Sequence, residues 1–246
     1  MKITTHGDYL VQLTRFVAFN CQLVREDDGF TLIDTLFGGS ARGILAAAQQ
    51  LGAPIQRIAL THAHSDHVGS LDALHAVLPD VEVAISARDA RFLAGERSLD
   101  PDEPKDKLRG GYVTVKTRPT RLLKPGDSVG SLEVVASPGH TPGHISFFDH
   151  RDGTLIAGDA YSTQGGIAVA SIIRWAFPLP GFAAWHRATC IRSAEALLAL
   201  HPNRLAVGHG KVIEQPVADM QRAIAEAKRK SSRASGEESF ASKRTH

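Results

Sequence analysis

Cysteine is nearly missing from this sequence, with 2 residues among 246, Cys21 and Cys190. They form no close-spaced pair, which excludes a disulfide framework and a cysteine-based zinc site. Charge of one sign is missing as well. Lys and Arg number 28 against 26 Asp and Glu, and the net +2 is too small to point to a nucleic-acid partner. Long apolar runs are absent: the longest, residues 167–177, is interrupted by Ser171 and Arg174, so no membrane span is expected. No apolar segment follows Lys2 at the start, so no secretory signal is legible and a cytoplasmic location is expected. What is left is 43% hydrophobic and 22% charged residues, the composition of a globular chain long enough to bury a core.

Histidine is the residue present in excess, with 12 copies. It is a common metal ligand, and its placement along the chain is informative. Apolar alternation predicts two strands over residues 9–24 and a third over 29–34. Helical spacing covers 38–51, closed by Gly52 and Pro54, and again 66–78, closed by Pro79. Further strands are expected at 58–60, 81–85, 112–117, 132–136, 145–149, 154–157 and 204–207, with helices at 87–93, within 181–200 and at 217–230. Residues 95–111 read as a long polar loop. From Ser231 the composition turns to Ser, Lys, Arg and Glu, which predicts one domain over 1–230 and a disordered polar tail over 231–246. Strands that first dominate and then alternate with helices indicate a mixed α/β fold with two sheets and helices outside.

Between the strand at 58–60 and the helix that follows lies Thr61-His62-Ala63-His64-Ser65-Asp66-His67. Side chains two apart in an extended segment point the same way, so His62 and His64 can grip one ion. Asp66 and His67 stand where the chain turns into the helix and can face a second ion. Three more candidates each follow a strand: His140 in Ser137-Pro138-Gly139-His140-Thr141-Pro142-Gly143-His144, Asp159 in Ala157-Gly158-Asp159, and His209 in Gly208-His209-Gly210. The set offers imidazole and carboxylate without thiolate, a combination suited to Zn²⁺.

These motifs, in this order and with Asp34 in Ile33-Asp34-Thr35 ahead of them, resemble the metallo-β-lactamase superfamily over nearly the whole chain. The resemblance implies an αβ/βα sandwich of two mixed β-sheets with helices on the outer faces. It implies two divalent ions, Zn first and Fe or Mn as alternatives. His62, His64 and His140 would bind one, Asp66, His67 and His209 the other, and Asp159 both. Asp34 and His144 would hold ligands in place by hydrogen bonds. The six other histidines read as surface residues.

Two divalent ions about 3.5–4 Å apart can share a hydroxide ionised near neutral pH, a nucleophile for an activated carbonyl. The expected reaction is hydrolysis of a lactone, thioester or ester, with Asp66 as proton shuttle. Two other activities share the resemblance: a persulfide dioxygenase with one iron, and a phosphodiester hydrolase. Tyr161 is a candidate donor to an oxyanion. In the lactonases this chain resembles, that tyrosine stands three residues after the bridging Asp; here it stands two after, and Ser162 takes the third place. Both tryptophans fall within residues 161–185. Trp175, Phe177 and Phe182 there are candidate walls of an acyl pocket, with core or dimer packing the other reading. The expected partner is a small-molecule substrate, with a homodimer left open.

Overall fold

The computed structural model describes the backbone of residues 1–242 and the side chains of residues 1–233. The chain opens as an antiparallel meander of β1 (Lys2–His6), β2 (Leu10–Arg15), β3 (Phe19–Glu26) and β4 (Gly29–Ile33). Helix α1 (Ala41–Gln50), rich in the strongest helix former, carries it across to β5 (Ile55–Ala59) and closes at Gly52 with φ +80°. The short helices α2 (Ser65–Val68) and α3 (Leu71–Val77) lead to β6 (Glu82–Ser86), and α4 (Ala87–Leu93) precedes β7 (Arg121–Leu123). From β4 to β7 the pairing is parallel, completing a seven-stranded sheet in sequence order.

The second sheet is built from β8 (Ser128–Val129), β9 (Leu132–Ala136), β10 (Ile145–Asp149) and β11 (Thr154–Ile156). A small ribbon of β12 (Tyr161–Ser162) and β13 (Ala168–Val169), helix α5 (Leu179–Ala183) and helix α6 (Arg187–Leu198) intervene. The chain then adds β14 (Arg204–Ala206), β15 (Ile213–Glu214) and α7 (Val217–Ser242). Only β11 and β14 pair in parallel in this sheet, whose order is β15-β14-β11-β10-β9-β8.

Period-two alternation sorts the core into three layers. Phe30, Leu32, Ile58, Val83 and Ile85 face a cluster shared with α1, α3 and α4, while Ile33, Ala59 and Ala84 face the other sheet. On the second sheet Phe147 and Ile156 join that inter-sheet layer, and Phe148 and Leu155 pack with α6 and α7. The result is the expected αβ/βα sandwich of two mixed sheets. Its topology brings the C-terminal ends of β4, β5, β9, β11 and β14 to one edge.

Several details depart from the sequence reading. A half-exposed first strand, β1, precedes the two expected. Residues 112–117 are not a strand, because their amides are satisfied elsewhere: Val115 donates to Leu93, and Lys116 and Thr117 donate to the Asp72 carboxylate. The helix expected over 66–78 divides at Gly69, where Ser70 Oγ donates to Phe37 O and accepts from Ser40 N. The boundary expected at Ser231 is not a helix end, since α7 runs on to Ser242; residues 243–246 of the expected tail lie outside the described residues.

Candidate metal centre

All seven expected ligands meet at this edge. His62 Nε2 lies 3.1 Å from His64 Nδ1, which lies 3.0 Å from His140 Nε2. Asp159 sits between this group and the next, with its carboxylate 3.3 Å from His140 Nε2, 3.4 Å from His67 Nε2 and 3.1 Å from His209 Nε2. Asp66 Oδ2 is 3.3 Å from His209 Nε2 and 3.8 Å from His67 Nε2. The donor atoms fall into three groups, His62/His64/His140, His62/His67/Asp159 and Asp66/His67/His209, each within 4.8 Å.

Several of these side chains are held from behind. Asp34, at the end of β4 with φ +63°, accepts Thr61 N and Thr61 Oγ1 at 2.8 Å each and accepts His67 Nδ1–H at 2.8 Å. That bond leaves His67 Nε2 free to face the centre. His64 donates Nε2–H to Arg109 O at 2.9 Å, which turns Nδ1 inward. Gly110 follows, so close that a Cβ there would stand 2.3 Å from His64 Nε2. His144 Nε2 accepts from Asp159 N at 3.0 Å and its Nδ1 meets Ser137 Oγ at 2.8 Å, so His144 supports Asp159 rather than joining the ligands. At His209 a Cβ on Gly208 would lie 2.3 Å from Asp159 Oδ1, so only glycine lets the loop approach.

Burial sets the protonation states. It holds His62 and His140 well below the usual imidazole value and takes His64 to about 4. Burial also depresses His67 and His209, but the carboxylates outweigh it. Asp159, Asp34 and Asp66 raise His67, and Asp159 and Asp66 bring His209 to about 9. Asp159 stays ionised because His209, His67 and His140 overcome its desolvation. The edge therefore gathers buried anionic charge that calls for cations. His67 Nε2 and Asp159 Oδ1 are buried without any hydrogen-bond partner, as expected of atoms whose partner is a metal ion. The donor set fits divalent cations that take nitrogen and oxygen ligands.

Besides the Arg109 carbonyl, two side-chain supports escaped the sequence reading. Asp89, fully buried in the first turn of α4, accepts Ala63 N at 2.9 Å, Thr141 Oγ1 at 2.8 Å and Gly143 N at 2.8 Å. It thereby ties the His62/His64 loop to the His140 loop, and burial raises its own pKa to about 6. Asn20 donates to Val207 O and Gly210 O on both sides of His209. Neither residue lies near a ligand in sequence. The only signal for Asp89 is its place three residues after the helix-capping Ser86.

Over the donors opens a cavity of about 330 Å³. Asp66, at 21% side-chain exposure, is the least covered of the seven candidate ligands and lines it. Phe182 lines it as well. Phe177 instead packs its ring 5.2 Å from His209 and 5.5 Å from Phe19. Trp175 is 84% exposed and forms no part of the cavity lining. Tyr161 corrects the sequence reading: its hydroxyl donates to Ala194 O at 2.9 Å inside the cluster shared with α6 and α7, and it does not reach the cavity. In β12 it is Ser162 that turns to the site side, donating to His209 O at 3.2 Å. Of the six histidines read as surface residues, His186 caps α6 by accepting Thr189 N.

Comparison with known proteins agrees with this geometry. A family model described as the metallo-beta-lactamase superfamily matches residues 15–209. The uncharacterized protein YobT of Bacillus subtilis is 49% identical over 233 residues, covering 93% of this chain and all of that one. The probable metallo-hydrolase YflN of Bacillus subtilis is 32% identical over 210 residues, 77% of this chain and 78% of the other. The hydroxyacylglutathione hydrolase GloC of Haemophilus influenzae is 32% identical over 155 residues, 60% and 68% of the two chains. Among solved structures, TTHA1623 in a di-iron-bound form superposes with a TM-score of 0.63 at 28% identity, covering 85% of this chain and 96% of that one. No helix among the described residues is long and apolar enough to cross a membrane.

Proposed function

The chain belongs to the metallo-beta-lactamase superfamily, and from that premise we propose that it is a dinuclear metal-dependent hydrolase acting on an activated carbonyl: a lactone, thioester or ester. The observation that carries this reading is the convergence of seven nitrogen and oxygen donors with unpartnered buried atoms among them. His62, His64 and His140 would hold one ion and Asp66, His67 and His209 the other, with Asp159 lying between the two groups. Zinc suits this donor set, while the di-iron form of TTHA1623 keeps iron in the comparison. Bound divalent ions supply a water nucleophile ionised near neutral pH and Lewis-acid polarisation of the carbonyl oxygen.

The protein's own groups do the rest. Asp34 and the Arg109 carbonyl choose which nitrogen of His67 and His64 faces inward. Asp66 is the carboxylate at the cavity floor with an edge open to substrate. Asp66 would take the proton lost by the attacking water and return it to the leaving group, a role its exposed edge supports. The aromatic and aliphatic walls exclude bulk water around that exchange.

The test is metal analysis joined to turnover. The purified chain should carry two ions, and His62→Ala/His64→Ala should lose metal and hydrolysis together. Activity that survives this change overturns the assignment. A single iron with oxygen-dependent turnover of a persulfide would favour the dioxygenase instead.

A further inference from the structure

The floor and the walls of the cavity differ in chemistry. The floor is made of Asp66, Asp159, His64, His140 and His209, the groups of the metal centre. Phe19 and Phe37, with ring centroids 4.7 Å apart, form one wall, and Leu179, Pro180, Phe182 and Ala183 form the other. Leu179 and Phe182 remain 53% and 46% exposed at the mouth, apolar surface that gains by being covered. None of the fourteen lining residues is a Lys or an Arg. Arg109, beside Gly110, opens onto a separate cavity with Trp185 and His186, and Arg174 is paired with Glu226.

We propose that this site selects substrates by an uncharged apolar group flanking the scissile carbonyl, held between Phe19/Phe37 and Leu179/Phe182. The proposal rests on the hydrolase reading and narrows its substrate class. A carboxylate or phosphate on that flanking group would be pressed against phenyl and leucine side chains with no Lys or Arg among the lining residues to pair it. A glutathione thioester, with two carboxylates on its leaving group, therefore suits these walls poorly, although the relative from Haemophilus influenzae is a hydroxyacylglutathione hydrolase. At ~30 Å³ per water-sized atom the cavity takes a group of about ten non-hydrogen atoms, the size of an octanoyl or phenylacetyl unit.

Binding and turnover separate this proposal from the reading beneath it. Titration calorimetry on the metal-loaded full chain compares three non-hydrolysable amides: butanamide, octanamide and the octanamide analogue with a terminal carboxylate. Octanamide should bind at least about tenfold tighter than butanamide and than the carboxylate analogue. Leu179→Ala/Phe182→Ala should erase most of the first difference, and Leu179→Lys should narrow the second. In the turnover arm, kcat/KM on neutral thioesters should rise about three- to fourfold per methylene up to the capacity of the cavity. Equal affinity for the three amides, or tighter binding of the carboxylate analogue, overturns the proposal and leaves the hydrolase reading standing. The amide preference without hydrolysis of any ester, thioester or lactone overturns the hydrolase reading and leaves the apolar selection standing.

Discussion

The bed of metal-binding residues and the strap of residues 172–183 above it are built on opposite terms. In the bed His62, His64, His67, His140, Asp159 and His209 are each at most 2% exposed, and hydrogen bonds reach them or their loops from Asp34, Asp89, Asn20, His144 and Arg109. The strap shows Trp175, Leu179 and Phe182 to solvent, and its side-chain anchor is Arg174, bonded to Ile167 O and Glu226. Ligands must sit within a few tenths of an ångström to hold an ion, so their geometry is over-determined. A wall that recognises apolar substance needs only surface of the right character, because the hydrophobic effect has no direction. On the reading proposed above, the bed would set the chemistry, and the strap would share substrate choice with Phe19 and Phe37.

Substitutions can sharpen or break that contrast. The largest effect on metal binding is expected at Asp34. Asp34→Ala frees His67 Nδ1 and the Thr61 donors, and should weaken metal binding by roughly 10–100-fold, read by competition with a chelator. Asp89→Ala comes next. It leaves Ala63 N, Gly143 N and Thr141 Oγ1 buried without an acceptor, and should cost about 3 kcal/mol in thermal unfolding of the apo-protein. An unchanged melting temperature would show that the two histidine loops do not need this tie.

Protons compete with metal for the same nitrogens. His209, held at about 9 by Asp159 and Asp66 against burial, must be neutral to bind an ion. Metal uptake at pH 7 should therefore release protons, and affinity should fall as pH is lowered; calorimetry in buffers of different ionisation enthalpy measures both.

Two smaller effects separate core and strap from bed. Tyr161→Phe removes one buried hydrogen bond to Ala194 O and should cost about 1 kcal/mol of stability while hydrolysis stays unchanged. A collapse of hydrolysis would return the tyrosine to the site. Arg174→Ala should cost less, about 0.5 kcal/mol, because the ion pair is partly solvated. The Arg174 hydrogen bonds hold the Glu226 carboxyl at about 2, below its unfolded value of about 4.3. The pair's contribution is therefore complete above the unfolded value and lost as pH falls toward the folded one. The difference in melting temperature between the two proteins should be largest at pH 7 and shrink toward pH 2, where only the bond to Ile167 O remains.

The candidate ligands were legible because each stands in a short local motif. His62 and His64 share a side by extended alternation, and Asp66 and His67 follow at the turn into α2. The supports were not. Asp89 lies 26 residues from Ala63 and 52 from Thr141, and only the packing of α4 against both loops brings it there. Tyr161 shows the same limit from the other side. A strand inverts its side chains with every residue, so the one-place shift that puts Tyr161 where it is turns its ring into the core and Ser162 toward His209.

The sequence by itself determined the fold class and pointed to the candidate ligands, because period-two strands, helix stops and motifs such as H-x-H-x-D-H are properties of neighbours along the chain. Only the tertiary structure decided which nitrogen each histidine turns inward, which carboxylate ties the loops, and which apolar side chains face the cavity. Those depend on contacts between residues far apart in the chain, and on which face of an element is left uncovered once the sheets have packed.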